Sequence, residues 1–287
     1  MENPQAPKIS ILIVTFNNGQ TIRACLDSLE LQTISDCEIL VIDNQSTDNT
    51  VSLLKSNRRI HLTESPVNIG FAAATNRLAK NALGDYLFLL NPDCVCPPET
   101  LRLLLEFASK HPGAISPALV FPNGTLQPSA RRLLDYDNII FSRRSPLHRL
   151  ALANTQKGGY IVPDAAAIVP AVSATALFIS KKLFLEVGAF DERFFMYCED
   201  IDLCNRLAKH GSAIWYYPEL KIVHLLRASS RKKSLKPLYH HHLSVHKYFT
   251  KHYPDEYIKN LILSILLAAG FVFSAAAELL RPGRLDD

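Results

Sequence analysis

Four short apolar runs near the start of the chain, alternating with segments of helical spacing, restrict its fold more than any other feature. The runs span residues 8–15, 38–42, 60–63 and 85–90, and the first is rich in β-branched residues, as in a strand buried on both faces. Helical spacing occupies 21–31, 50–56 and 71–81 between them. Strands and helices alternating at this spacing predict an α/β fold with a parallel sheet and right-handed crossovers.

The pattern continues less regularly beyond residue 90. From 122 to 166 prolines, glycines and arginine pairs replace it, which indicates a long excursion over an active face. The remaining predicted elements are a helix from 97 to about 110, a strand at 114–120, a strand at 174–179, helices at 181–187 and 200–210, and strands at 213–217 and 220–224.

Composition sets broad limits on the class of protein. A chain of 287 residues is long enough for one elaborated α/β domain, alone or with an appendage, and a net charge of +4 is too mild for a general polyanion binder, so no nucleic-acid partner is expected. Basic residues are concentrated in one segment, which is either a phosphate-contacting segment or a solvated loop. They are Arg227, Arg231, Lys232, Lys233 and Lys236.

The six cysteines and the N-terminus bear on location. No CxxC pair occurs, and most of the cysteines have apolar neighbours, as is typical of buried thiols in a reducing compartment. The first residues, MENPQAPK, have no apolar signal segment. We therefore expect a cytoplasmic protein.

Polar residues follow three of the predicted strands. The strands end in Thr15-Phe16-Asn17, Asp43-Asn44 and Asn91-Pro92-Asp93. Ligands of open parallel sheets bind beyond the carboxyl ends of the strands. Asp43 and Asn44 can hydrogen-bond a base edge, Phe16 can stack on it, and Asp93 can hold Mg²⁺ or Mn²⁺. With no glycine-rich phosphate loop in the sequence, we expect a metal to neutralise a bound diphosphate.

Three acidic residues lie within four positions at the start of a predicted helix, among aromatic residues. They are Glu199, Asp200 and Asp202. The helix dipole favours their ionised forms, whereas apolar neighbours raise the pKa of a carboxyl group, which suits a general base. Asp200 is the candidate base, and Asp202 has the spacing for a structural pair with Arg206.

The C-terminal part begins with histidines and aromatics and then becomes apolar. Residues 261–277 contain no charge, and about 1.5 Å per residue gives a helix of roughly 26 Å, slightly short of the roughly 30 Å hydrocarbon core. The segment is predicted to contact a membrane, as a tilted hairpin half or a helix in the interface. Packing in a dimer or as a buried structural helix remains the alternative.

Taken in order, these motifs resemble a known family. VTFNN, VIDNQSTDNT, NIGFAAATN, LLNPD, GAFDERFFMYCEDIDLCNRL and a later VH resemble the family 2 inverting glycosyltransferases of the GT-A fold, more narrowly the bacterial rhamnosyltransferase-like members. The resemblance spans about residues 8–253. It implies a Rossmann-like, mostly parallel sheet flanked by helices over 1–238. A C-terminal helical appendage over 239–287 is then a candidate for membrane association.

The resemblance also implies roles for individual residues. Asp200 would be the catalytic base, Glu199 would lie beside the acceptor, and Asp93 with His224 would bind Mg²⁺ or Mn²⁺. A nucleotide-sugar site would be formed by Thr15, Phe16, Asn17, Asp43, Asn44, Asn68, Gly70, Asn76 and Asn91. A subgroup motif containing Gln127, Ser129 and Arg131 would read the sugar or the acceptor. Asn91 stands where the family has a first aspartate, and Ala174-Thr175 where relatives have Gly-Ala.

The implied reaction is transfer of a sugar, such as rhamnose from a dTDP-sugar, to a glycan or lipid-linked acceptor in cell-surface polysaccharide synthesis. The implied location is the cytoplasmic face of the inner membrane, with a homodimer as a further possibility. Two other functions fit a sheet with a metal carboxylate: a nucleotidyltransferase that makes nucleotide sugars, and a non-catalytic nucleotide-sugar-binding protein. The first would need a glycine-rich basic loop after strand one, and the second has no need of Asp200 beside Glu199.

Overall fold

A computed structural model describes residues 8–140, 159–225 and 235–280. Of the sequence features above, Arg227, Arg231, Lys232 and Lys233 lie outside the described residues, whereas Lys236 lies within them.

The first half of the chain forms the predicted alternation of strands and helices. The elements are β1 (Ile9–Thr15), α1 (Ile22–Glu30), β2 (Cys37–Asp43), α2 (Thr50–Ser56), β3 (Ile60–Glu64), α3 (Phe71–Asn81) and β4 (Tyr86–Leu90). β1 pairs in parallel with β2 and β4, and β2 pairs in parallel with β3. The pairing aligns Thr15 with Asp43, so two of the polar strand ends are neighbours.

The second half completes this sheet and adds a smaller one. The elements are β5 (Cys94–Val95), α4 (Thr100–Lys110), β6 (Ala114–Val120), β7 (Leu126–Gln127), β8 (Ala130–Arg131), α5 (Tyr136–Ile140), β9 (Tyr160–Ile161), β10 (Ala167–Ile168), β11 (Ala171–Val172), β12 (Ala176–Ser180), α6 (Lys181–Glu186), α7 (Glu199–Lys209), β13 (Ile214–His224), α8 (Leu235–His252) and α9 (Tyr257–Leu280). The large sheet has the order β10-β13-β6-β12-β4-β1-β2-β3, and the small sheet the order β11-β8-β9.

The α/β fold with a mostly parallel sheet is confirmed, with two differences in detail. β12 runs antiparallel between β4 and β6, because the chain reaches it from the excursion after β6 rather than through a helical crossover. The predicted strands at 213–217 and 220–224 are one strand, β13, whose register against β6 shifts between Tyr217 and Lys221. Apolar periodicity reports burial, not strand direction, so neither feature was visible in the sequence.

Apolar residues fill both faces of the large sheet, and a third cluster lies between α7, α8 and α9. In this cluster Phe194 and Ile201 pack with Val245, Phe249 and Leu263. The proposed boundary at residue 238 falls inside α8. The buried side of α8 packs against the segment that carries the acidic cluster.

Candidate active site

Thr15 and Asp43 form a closed hydrogen-bond network at the edge of the sheet. Thr15 Oγ1 donates to Asp43 Oδ1 over 2.9 Å, and the Ser46 backbone N–H donates to Asp43 Oδ2 over 2.8 Å. The Ser46 hydroxyl also donates to Asp43 Oδ1. Asp43 is 2% exposed, and neighbouring Phe16 is 44% exposed. The network therefore fixes the carboxylate at this strand end, and the exposed Phe16 ring directly follows Thr15 in the chain.

Asn17 and Asn44 shape the loops around this network. Asn17 has a φ of 57°, and its side-chain oxygen accepts from the Thr47 backbone N–H over 2.8 Å. Asn44 Nδ2 donates to the Gly70 carbonyl over 3.1 Å. The buried Asn44 Oδ1 has no hydrogen-bond partner among the described residues. Both side chains thus connect loops, and Asn44 retains one unpaired acceptor.

The loop from Asn68 to Gly70 lies under the segment that leads to the acidic cluster. Gly70 has a φ of +84°, and a Cβ built there would lie 2.5 Å from the Phe195 carbonyl oxygen. The Phe71 backbone N–H donates to that same carbonyl over 2.8 Å. Gly70 is therefore required for close approach of two backbones. Asn68 Oδ1 accepts from the Gly70 N–H over 3.0 Å and stiffens the turn.

The side chain of Asn76 is occupied within the protein. Its Nδ2 donates to the Phe190 carbonyl over 2.8 Å and to Glu192 Oε1 over 3.0 Å, and its Oδ1 accepts from the Phe190 N–H over 3.0 Å. Both ends of the amide therefore have partners within the protein, and a contact between Asn76 and nucleotide stays a prediction. Asn76 joins α3 to the loop before α7.

Asp93 and His224 come together because β5 pairs with β13. The register aligns His224 with Cys94, which places the imidazole next to the preceding Asp93. His224 Nε2 lies 3.1 Å from Asp93 Oδ1, and His224 Nδ1 lies 2.9 Å from Gln127 Oε1. The Cys94 thiol donates to the Thr175 carbonyl over 3.8 Å, so it carries its proton.

This pair fits a divalent cation. When Gln127 accepts a hydrogen bond from His224 Nδ1, the neutral imidazole turns the lone pair of Nε2 towards the Asp93 carboxylate. Two facing acceptors are stabilised by a cation between them, and one carboxylate oxygen with one imidazole nitrogen suits Mn²⁺. Asp93, Cys94 and His224 form the one group of potential metal ligands found within residues 8–140, 159–225 and 235–280.

The acidic cluster begins α7 after a strained turn. Tyr197 and Cys198 have φ values of 67° and 64°, a conformation that costs free energy for non-glycine residues. The turn brings Asp200 to Arg131, whose Nη2 lies 2.9 Å from Asp200 Oδ2. Asp200 Oδ1 accepts from the Ile201 backbone N–H over 2.8 Å. Both carboxylate oxygens are therefore held in place.

Glu199 has a different environment from Asp200. Burial, and then the charge of Asp200, raise the pKa of Glu199 well above its ordinary value. Glu199 Oε2 has no hydrogen-bond partner in the described part of the chain. The sequence predicted a raised pKa for one acid of the cluster with Asp200 as the base. The structure assigns the raised pKa to Glu199, chiefly because its carboxyl group is buried and then because the charge of Asp200 lies close to it.

Asp202 is structural, as predicted. Its carboxylate is fully buried and pairs with Arg206 at 2.8 Å. It also contacts Lys251 Nζ at 2.5 Å and His252 Nε2 at 2.8 Å. Burial alone would raise the pKa of Asp202. Hydrogen bonds from His252 and Lys251 outweigh this effect, so the pKa is lowered overall. Asp202 thus joins α7 to α8.

One cavity of about 330 Å³ is lined both by residues of the acidic cluster and by Asn91 and Thr175. Asp93 and His224 do not line this cavity, although Asn91 precedes Asp93 by two residues in the chain. The other lining residues are Phe71, Arg131, Leu134, Ile139, Ser173, Ala174, Met196, Tyr197, Cys198, Glu199, Asp200, Ile201, His241 and Val245.

Several site contacts have no counterpart in the sequence-based predictions. Gln127 and Arg131 were noted only as residues of a subgroup motif, yet they contact His224 and Asp200. His241 and Val245 of α8 line the cavity, although the sequence placed this segment in an appendage. The only sequence signal for Gln127 and Arg131 was the motif that they share. No local pattern in the sequence predicts that α8 lines the cavity.

The mostly parallel sheet with polar residues at its strand ends defines an α/β protein that binds its ligand at the carboxyl edge of the sheet. The family model described as "Glycosyl transferase family 2" matches residues 10–168, more than half of the chain. The chain belongs to this family. The nucleotidyltransferase and the non-catalytic binding protein considered above are therefore set aside.

Individual relatives agree with this assignment. An N-acetylglucosaminyl-diphospho-decaprenol L-rhamnosyltransferase of Mycobacterium tuberculosis is 29% identical over 256 residues, which cover 83% of this chain and 82% of the relative. The mannosyltransferase PcManGT from Pyrobaculum calidifontis, solved with GDP-Man and Mn²⁺, is 19% identical with a TM-score of 0.58, over 96% of this chain and 76% of that one. GalNAc-T7, solved with UDP, GalNAc and Mn²⁺, is 15% identical with a TM-score of 0.61. The match covers 96% of this chain and 58% of that structure. The two structures support the fold.

Proposed function

We propose that this glycosyltransferase moves a sugar, with inversion, from a nucleoside diphosphate sugar to an acceptor hydroxyl, and that Asp200 is the base. The observation that carries the proposal is the cavity in which Asp200, oriented by Arg131, shares one space with Asn91 beside the Asp93–His224 pair. A base at one end and a site for diphosphate at the other are what a direct displacement requires.

In this reaction Asp200 accepts the proton of the acceptor hydroxyl. The acceptor oxygen attacks the anomeric carbon from the face opposite the nucleotide, and the bond to the diphosphate oxygen breaks. The nucleobase and ribose of the donor bind at the strand ends, where Phe16 stacks on the nucleobase. The residues that line this part are Thr15, Asn17, Asp43 and Asn44. The neutral form of Glu199 donates a hydrogen bond to a hydroxyl of the acceptor.

Asp93 and His224 would hold Mg²⁺ or Mn²⁺, and we propose that activity depends on it. Such a cation, when bound with the donor, neutralises charge on the diphosphate leaving group. Gln127 orients the imidazole through Nδ1, as partners behind metal ligands commonly do. Asn91 contributes an uncharged side chain at this end of the cavity.

The name of the mycobacterial relative supports a narrower proposal. By its name, that relative transfers L-rhamnose to an N-acetylglucosaminyl-diphospho-decaprenol. For this chain we therefore propose a deoxyhexose donor, such as dTDP-rhamnose, and a lipid-linked acceptor. Such an acceptor places the enzyme at the cytoplasmic face of a membrane. We also propose that α8 belongs to the catalytic domain and that the appendage consists of α9. A homodimer remains a prediction.

The test combines donor screening with a base variant. A panel of nucleotide sugars with Mn²⁺ is screened by thermal shift, because a donor that binds the native state raises its melting temperature. The best donor is then assayed for transfer, and the anomeric configuration of the product is read by NMR.

Asp200→Asn should bind that donor as the wild type does and lose about 10²-fold or more in transfer rate. The exposed Asp27→Asn serves as the control and should keep full activity. A product of retained configuration, or full turnover by Asp200→Asn, contradicts the proposal.

A further inference from the structure

Helix α9 has its polar residues on the side that faces the protein and its apolar residues on the side that faces outward. Asn260 and Ser264 lie on the inner side, with Leu263, which is 2% exposed. The outer side of 257–276 is apolar at every exposed position except Lys259. Its residues are Tyr257, Ile258, Leu261, Ile262, Ile265, Ala268, Ala269, Val272, Phe273 and Ala276. A helix on a water-facing surface has the opposite arrangement.

The inner side of α9 is fastened to the rest of the protein along its length. Tyr136 OH donates to Asn260 Oδ1 over 3.0 Å, and Ser264 Oγ lies 2.9 Å from His246 Nδ1 of α8. Further along, the Phe271 ring lies 5.9 Å from the His242 ring. These contacts hold α9 against α5 and α8 from Asn260 to Phe271.

The outer side is large and continuous. Leu261, Ile265 and Phe273 are 63%, 60% and 75% exposed. The window Tyr257–Ala276 has a mean hydropathy of 1.9, and 6% of it is buried. The 20 residues Tyr257–Ala276, at about 1.5 Å each, extend for about 30 Å. An apolar stripe of this length on the outside of a protein marks an interaction surface.

The chemistry of the stripe favours lipid as its partner. Interfaces between proteins combine an apolar centre with a polar rim and with arginine, whereas this stripe is aliphatic between Tyr257 and Phe273. Residues 260–277 contain no charge, Lys259 is paired with Glu256 over 3.0 Å, and Glu278 precedes Arg281 in the sequence. Binding of such a stripe to the headgroup and acyl boundary of a bilayer therefore depends on its apolar area rather than on charge.

We infer that α9 lies in the plane of a membrane, with its outer side inserted in one leaflet and its inner side docked on α8. α8 contributes His241 and Val245 to the cavity, so the surface that meets lipid is one helix away from the candidate active site. The functional purpose of this docking rests on the proposed lipid-linked acceptor. An enzyme docked in this way meets that acceptor in the plane of the membrane.

The experiment measures binding of the full chain to phosphatidylglycerol–phosphatidylcholine vesicles by co-sedimentation. The test variant is the triple substitution Leu261→Gln, Ile265→Gln and Phe273→Gln. The matched control replaces three exposed leucines elsewhere, Leu31→Gln, Leu83→Gln and Leu185→Gln, which are 67%, 67% and 47% exposed. We expect the test variant to bind at least about tenfold more weakly than wild type, because three inserted apolar side chains are lost. The control should bind as wild type.

A second measurement separates lying in the membrane from crossing it. A protease added outside sealed vesicles should cleave a tag placed after Asp287, whereas a spanning helix would protect the tag. Transfer to a short soluble acceptor should be equal in the test variant and wild type, so loss of vesicle binding is distinguishable from failure of the catalytic proposal. Protection of the tag overturns the inference, as does wild-type binding by the test variant. The inference is also overturned if the wild type does not bind vesicles. This includes the outcome in which the wild type forms a dimer that the same three substitutions break.

Discussion

Arg131 Nη2 lies 2.9 Å from Asp200 Oδ2, across 69 residues of sequence. β8 carries Arg131 and pairs with β11, and Val172 of β11 accepts a hydrogen bond from the Cys204 thiol of α7. The small sheet and α7 are therefore joined in one unit. The arginine sets the direction of the carboxylate that we propose as the base.

Arg131→Ala should lower kcat by about 10–100-fold while leaving the KM for donor nearly unchanged, because a mispositioned base slows proton transfer more than binding. Arg131→Lys should recover part of the loss, since it restores charge without the planar fork. Steady-state kinetics measure both. Arg102, whose ion pairs with Glu99 and Glu106 are exposed, supplies the control Arg102→Ala. Equal effects of Arg131→Ala and Arg102→Ala would remove the positioning role.

Removing the metal ligands should affect the donor rather than the acceptor. Asp93→Ala should abolish the additional thermal stabilisation that Mn²⁺ gives to a nucleotide complex, since a hard cation loses its protein carboxylate. His224→Ala should produce the same defect in milder form, and Gln127→Ala a still smaller one. EDTA should reproduce the Asp93→Ala result in the wild type. Full transfer activity of the wild type in EDTA would contradict metal dependence.

The raised pKa of Glu199 predicts a pH dependence of stability. A carboxyl group whose pKa is higher in the folded than in the unfolded state stabilises the fold at low pH, and this contribution is lost as pH rises through the folded-state pKa. The neutral Glu199→Gln variant lacks that loss. The difference in melting temperature should therefore shift in favour of the variant from about pH 5, and it should level off above the folded-state pKa of about 8.

Thermal unfolding across this pH range measures the margin. The control is Glu186→Gln, because Glu186 is exposed on α6. Parallel curves for wild type and Glu199→Gln would show that the buried carboxyl is ionised throughout.

The ion pairs between α7 and α8 should contribute to stability. Lys251 contacts both Asp191, at 2.7 Å, and Asp202, and its side chain is 20% exposed. Lys251→Ala should lower the free energy of unfolding by about 1–3 kcal/mol, because two carboxylates lose a shared cation while Asp202 keeps Arg206. Urea denaturation measures this. Lys55→Ala, which breaks an exposed pair with Glu64, should change it by less than about 1 kcal/mol.

Local chemistry made much of the fold predictable. The helices α1, α2 and α3 begin and end within about one residue of their predicted bounds, because apolar spacing and breaking residues such as Gly19 act over a few positions. Thr15 and Asp43 could be paired in advance, since consecutive parallel strands bring their ends together. The direction of β12 and the continuity of β13 could not, because both depend on which distant strand is the neighbour.

The α/β alternation, the polar strand ends, the acidic cluster and the apolar character of residues 261–277 could all be recognised in the amino-acid sequence. These properties lie in short stretches, where side-chain chemistry acts through local spacing. Packing of distant segments was needed to bring Arg131 to Asp200, to raise the pKa of Glu199, and to place α8 along the cavity. It also turned the polar side of α9 inward. Each of these outcomes depends on charge, burial and contacts between residues far apart in the chain, which form only when the separate elements pack together.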